Sequence, residues 1–187
     1  MQDERDADRV EEAGAVIGAV ETEKCQFCGN RTKHREQCDR LERANTVSEP
    51  ATVRLIEAHG KRWGMSDPLH VNADREHQLP WDITVRDTYA NGGERSKLDV
   101  KEREADLYIR LGRTDALLKW QQVPYIIVVN ISDDETVQEA GIYLSRLVIS
   151  GFRHVLEDEL DGNFVYDDRG FWLYCGSPLE VWPDDEG

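Results

Sequence analysis

Hydrophobic spacing divides the chain into segments of different period. Residues 51 to 64, ATVRLIEAHGKRWG, place Val53, Leu55 and Ile56 on one side of a helix that Gly60 or Gly64 would end. Residues 65 to 80 show no period and read as irregular. At DITVRDTY, 82 to 89, the period falls to two, as in a half-buried strand. Asn91-Gly92-Gly93 predicts a hairpin turn, and ERSKLDVKER, 94 to 103, is the returning strand. Residues 105 to 122 fit a helix, or a strand followed by a helix, and both alternatives stay open. PYIIVVNIS, 124 to 132, is a continuous β-branched run, the pattern of a buried strand. Ser132 and the acids behind it suit a helix N-terminus, predicting a long helix over 132 to 160. GNFVYDDRGFWLYCG, 162 to 176, reads as a closing hairpin, with Cys175 as a small buried residue.

This order predicts an α/β fold, a mixed sheet with flanking helices, preceded by a small zinc-binding motif. The expected divisions are an acidic tail and short lead-in at 1–20, a zinc clasp at 21–45 and an α/β body at 51–187. NTVSEP, 45 to 50, is the expected linker between clasp and body.

Charge changes the picture next. The 187 residues carry 38 acids against 23 basic residues, a formal charge of -15. An acidic, Arg-over-Lys, Asp-rich chain resembles proteins of salt-loving organisms, whose carboxylates keep the surface hydrated. That resemblance implies the cytoplasm of a halophilic host, or its virus. No run reaches the ~18 apolar residues of a membrane helix, so no membrane partner is expected. The sequence has no G-x-S-x-G, Walker loop or dinucleotide-type glycine pattern.

Two groups of residues carry candidate chemistry. In CQFCGNRTKHREQC, Cys25, Cys28, His34 and Cys38 supply four N/S donors, a set suited to tetrahedral Zn²⁺. Residues 24 to 43 hold six basic residues against three acids, a basic island in an acidic chain. Arg31, Lys33 and Arg35 would face phosphates of DNA or RNA, and Phe27 would stack on a base. The motif resembles a CCHC zinc knuckle with its histidine displaced by one position.

The second group lies on the hairpin. Asp82 begins one strand, while Asp99 and Lys101 leave the same face of the next. A carboxylate pair can hold Mg²⁺, and a lysine beside it can orient the attacking water. The order helix, hairpin with D…DxK, helix, strand resembles the PD-(D/E)xK nuclease core over residues 51 to 132, with Trp81 at the proline position. The resemblance implies Asp82 and Asp99 as metal ligands, Lys101 as the water-positioning base and Glu57 as an additional acid. His70 and His77, flanking Asp74 and Glu76, are a secondary metal candidate.

The leading expectation is Mg²⁺-dependent phosphodiester hydrolysis on DNA, with the zinc clasp helping to grip substrate. The alternatives are a zinc-stabilised interaction protein with a protein partner in a viral or chromosomal assembly, and a zinc-finger regulator that binds DNA without cutting it.

Overall fold

The computed structural model describes residues 42–72, 79, 81–89, 92–111, 120–156, 162–168 and 170–183. Residues 21–41 of the predicted clasp, with Cys25, Cys28, His34, Cys38, Phe27, Arg31, Lys33 and Arg35, lie outside the described residues, as do Asn91, Asp74, Glu76 and His77.

The expected linker is helical instead. A π-helical turn, Ala44–Ser48, runs without a break into α1, Glu49–His59. Pro50, which has no N–H to donate to the preceding turn, directly follows the π-helical turn. A 3-10 turn, Gly60–Trp63, ends at Gly64, whose φ of 68° reverses the chain. Ala51, Leu55 and Ile56 form the buried stripe of α1, with Val53 half-buried beside them.

Residues 65 to 70 form strand β1, Met65–His70, rather than an irregular segment. Pro68 and a register shift between Ser66 and Leu69 erase the alternation there. A sheet edge tolerates both. The predicted hairpin forms as β2, Ile83–Asp87, and β3, Glu94–Arg103, running antiparallel from Ile83 opposite Leu98 to Asp87 opposite Glu94. Gly92 and Gly93 hold φ of 59° and 93° in its turn.

Strand β4, Ile109–Leu111, settles the first part of residues 105–122 as strand. The predicted buried strand is β5, Tyr125–Ile131, which pairs parallel to β3, with Leu98 opposite Tyr125 and Lys101 opposite Val128. The expected long helix is two elements. Strand β6, Val137–Leu144, pairs antiparallel to β5, and only Ser145–Leu156 forms a helix, α2. Ser132 closes a strand-to-strand turn with Thr136, and Asp134 receives the Thr136 hydroxyl. Ser and Asp suit tight turns and helix starts equally, which explains the difference.

The closing hairpin is β7, Phe164–Tyr166, and β8, Trp172–Tyr174. Strand β9, Glu180–Trp182, adds to β6. The result is an α/β fold with a mixed six-stranded sheet, β1-β2-β3-β5-β6-β9, and a small sheet, β4-β8-β7. One face of the large sheet buries Ile83, Leu98, Val100 and Ile127 against α1. The other buries Ile126 and Val128 against Trp120, α2 and the small sheet. Cys175 lies one residue beyond β8 and is exposed, contrary to expectation. Among the described residues no helix is long and apolar enough to cross a membrane.

Candidate functional site

The β2–β3 hairpin brings the predicted acids and lysine to one place. Asp82 precedes β2, where the backbone ladder to β3 begins. Its N–H donates to the Leu98 carbonyl at 2.9 Å, and its Oδ2 accepts the Val100 N–H at 2.7 Å. The side chain therefore extends the ladder by one acceptor beyond the strand. Asn72 holds it from the other side. Its amide donates to Asp82 Oδ1 at 3.2 Å and to the Trp81 carbonyl at 3.1 Å, and its oxygen accepts the Leu79 N–H at 2.9 Å. These bonds pin both ends of the β1–β2 connection against β3.

Along β3, Leu98 and Val100 point toward α1, while Lys97, Asp99 and Lys101 leave the opposite face. Asp99 has no solvent exposure. Its Oδ2 accepts the Trp120 indole N–H at 2.9 Å and lies 2.5 Å from Lys101 Nζ. Burying a carboxylate is costly unless it is paired and hydrogen-bonded, and both conditions hold here. Lys101 also donates to the Val100 carbonyl at 3.2 Å. An ammonium has three donors, so a third remains after these two contacts. The lysine side chain is 30% exposed, so this donor has access to solvent. Lys97 lies over the Trp81 ring at 3.7 Å.

The other candidates separate. Glu57 is exposed on α1. The buried acid of that helix is Glu49, two turns earlier, which contacts His70 at the end of β1. His70 is opposite Ile83, and the next residue, Val71, donates its N–H to the Asp82 carbonyl at 3.0 Å. Glu49 and His70 thus lie at the same end of the sheet as Asp82. Nearby, Ser48 and Arg43 both contact Glu102 of β3. At the far end of the hairpin, buried Asp87 receives the Ser96 hydroxyl at 2.9 Å and the Tyr89 N–H at 3.0 Å. Burial, and then a hydrogen bond with Asp87, hold the Tyr125 phenol well above its usual pKa.

Among the described residues no three His, Cys, Asp or Glu side chains gather closely enough to hold a metal. The chemistry available at Asp82 and Asp99 is that of two hard oxygen donors. Mg²⁺ takes such a set when water and substrate phosphates complete its shell. Neither Asn72 nor Trp120 carried a signal in the linear pattern, because each acts through a contact across the fold. No protein-family model matches the chain, and no curated protein matches it.

Proposed function

We propose that this protein hydrolyses phosphodiester bonds in DNA with Mg²⁺ held by Asp82 and Asp99. The observation that carries the reading is the pairing of Lys101 Nζ with the buried Asp99 carboxylate beside the hairpin start at Asp82. The order of α1, the β2–β3 hairpin and a crossover to parallel β5 supports the resemblance to a PD-(D/E)xK core. Bound Mg²⁺ would polarise the scissile phosphate and lower the pKa of a water. Asp99 holds the Lys101 ammonium by charge, and the third N–H of that lysine orients the water or a phosphate oxygen. Trp120 and Asn72 fix the two carboxylates through their hydrogen bonds.

The clasp belongs to the same proposal. Cys25, Cys28, His34 and Cys38 would hold Zn²⁺, and Phe27, Arg31, Lys33 and Arg35 would contact the nucleic acid. The acidic composition supports a cytoplasmic setting in a salt-loving host or its virus. Plasmid incubated with the zinc-loaded protein and Mg²⁺ or Mn²⁺, from low to molar salt, should be nicked or cut. Lys101→Met should not cut it. Intact plasmid under every condition, or full activity in Lys101→Met, overturns the reading.

One observation favours a second, non-enzymatic reading. Asp82 completes a sheet ladder and Asp99 anchors Trp120, so both acids also serve the fold. On that reading the body is a scaffold that a zinc clasp docks to a partner in a viral or chromosomal assembly. A stable complex by light scattering, with no cleavage, would distinguish it.

A further inference from the structure

The two faces of the large sheet are covered unequally. On one, α1 packs over Ile83, Val85, Leu98 and Val100. On the other, Trp120, α2 and the small sheet pack over Ile126 and Val128 of β5 and Tyr143 of β6. Among the described residues, none in that second cluster comes from β1, β2 or β3. The side chains that β2 turns to this face are Thr84 and Arg86. Those of β3 are Arg95, Lys97, Asp99, Lys101 and Arg103.

The charge of this face opposes that of the chain. Every one of the five β3 positions is charged, and only Asp99 is acidic. The two strands together present five basic residues against one acid, or +4, in a chain of -15. Asp67 of β1, paired with Arg86, brings this to +3. A strand face that needed only to be wet would draw first on acids, which outnumber basic residues 38 to 23.

The basic groups are also crowded and held. Arg86 is directly opposite Arg95, and like charges facing each other across two strands are destabilising. Arg86 Nε bonds the Asp67 carboxylate at 2.9 Å. Arg95 Nη1 donates to the Asp67 carbonyl at 3.1 Å and the Thr84 hydroxyl at 3.2 Å. Lys97 is fixed over the Trp81 ring. The Arg86 side chain is nevertheless 57% exposed, and Arg95 is exposed as well. Cations are thus positioned at solvent rather than buried as part of the core.

A repeating polyanion matches such a row. At ~3.3 Å per residue, neighbouring side chains on one face stand about 7 Å apart, and Arg95 to Lys101 spans about 20 Å. A surface of that length meets several phosphates of a duplex, which recur every ~3.4 Å along each strand. The row also contains Asp99 and Lys101, the buried acid and its lysine. A phosphodiester brought to that pair carries its neighbouring phosphates over Lys97, Arg95 and Arg86.

We propose that this face of β2 and β3 binds the backbone of duplex DNA, with Arg86, Arg95 and Lys97 contacting phosphates beside the acid–lysine pair. The choice of DNA rests on the hydrolysis reading, whereas the basic face stands without it.

Anisotropy of a short labelled DNA duplex, titrated with the full chain without divalent cation, tests the proposal. Salt is varied over the range in which far-UV circular dichroism stays constant. Arg86→Gln/Arg95→Gln should weaken binding about tenfold or more and make the fall of log K with log salt shallower by about 1.8, at ~0.9 per phosphate contact. Arg86→Lys/Arg95→Lys keeps the charge and should keep the wild-type slope. Arg54→Gln/Lys61→Gln removes the same charge from exposed positions on α1 and the turn after it, and should change neither quantity. Asp67→Asn breaks the Arg86 ion pair but leaves both arginines, so it should bind at least as tightly as wild type. The proposal falls if the duplex does not bind, or if the Arg86/Arg95 glutamine variant keeps the wild-type affinity and slope. Weakening by Asp67→Asn equal to that of the glutamine variant would reduce the arginines to supports of β1 and overturn it. Polyglutamate competing as well as DNA would assign the face to an acidic protein, and a dimer dissolved by the glutamine variant would assign it to a second copy. Uncut plasmid beside the expected binding removes the hydrolysis reading alone. Cleavage beside unchanged binding in the glutamine variant removes this one alone.

Discussion

Replacing Asp99 by Asn separates catalysis from stability at one position. The amide keeps an acceptor oxygen for either the Trp120 N–H or Lys101, but loses the charge that faces the ammonium at 2.5 Å. Breaking a fully buried ion pair costs about 3–5 kcal/mol. Lys101 is 30% exposed and regains water, so that figure is an upper limit. With one hydrogen bond retained, the expected loss for Asp99→Asn is about 1–2 kcal/mol. Asp99→Ala also strands the indole N–H of Trp120, which is buried, raising the loss to about 2–4 kcal/mol. In a chain of this length each kcal/mol shifts Tm by roughly 2–4 °C. Asp99→Asn should therefore stay folded at 25 °C with a melting point a few degrees lower. Loss of a metal carboxylate should lower plasmid cleavage by about a thousandfold. Thermal melts and supercoiled-plasmid cleavage on the same preparation provide the comparison. Cleavage within about tenfold of wild type, beside the predicted drop in Tm, would refute a catalytic role and leave Asp99 as the anchor of Trp120.

Asn72→Ala removes the hydrogen bonds to Leu79, Trp81 and Asp82, and should cost about 1–3 kcal/mol by denaturant unfolding, with reduced cleavage. An unchanged midpoint would show that the β1–β2 connection is held elsewhere. Burial pushes the Tyr143 phenol up to about 12, so the folded state keeps a proton that the unfolded chain loses near its usual value of about 10. The contribution is fully present below that unfolded value and is lost as pH rises toward 12, on the order of 2 kcal/mol. Urea melts across this range should show the fall, and Tyr143→Phe should make it shallower, leaving the part due to Tyr125, while losing the bond to the Leu107 carbonyl. Gly64→Ala places a methyl at φ 68° and 2.3 Å from the Tyr89 ring, and should destabilise by about 1–3 kcal/mol in the same measurement.

The linear pattern was sufficient where burial on one face imposes a short period. Alternation identified the β2–β3 hairpin, its glycines identified the turn, and the β-branched run identified β5. Asp99 and Lys101 could be named on one face because a strand repeats every two residues. The pattern misled where local chemistry has two uses. Ser132 and the following acids suit a helix start, but β6 is enclosed between β5 and β9, and sheet pairing outweighs that local preference. The edge position of β1 hid a strand behind Pro68 and a bulge.

Composition and spacing alone established the acidity, the spacing of Cys25, Cys28, His34 and Cys38, and the D…DxK order. Tertiary structure alone decided which groups surround them. It brought Trp120 to Asp99 across 21 residues and Asn72 to Asp82 across ten, and on α1 it left Glu57 exposed and buried Glu49. It also set the 120–125 connection against the start of α2, more than twenty residues away, through the bond from Ser145 N–H to the Pro124 carbonyl. Periodicity reports which way a side chain points from its own element, whereas a hydrogen bond or a pocket depends on what another element places opposite it.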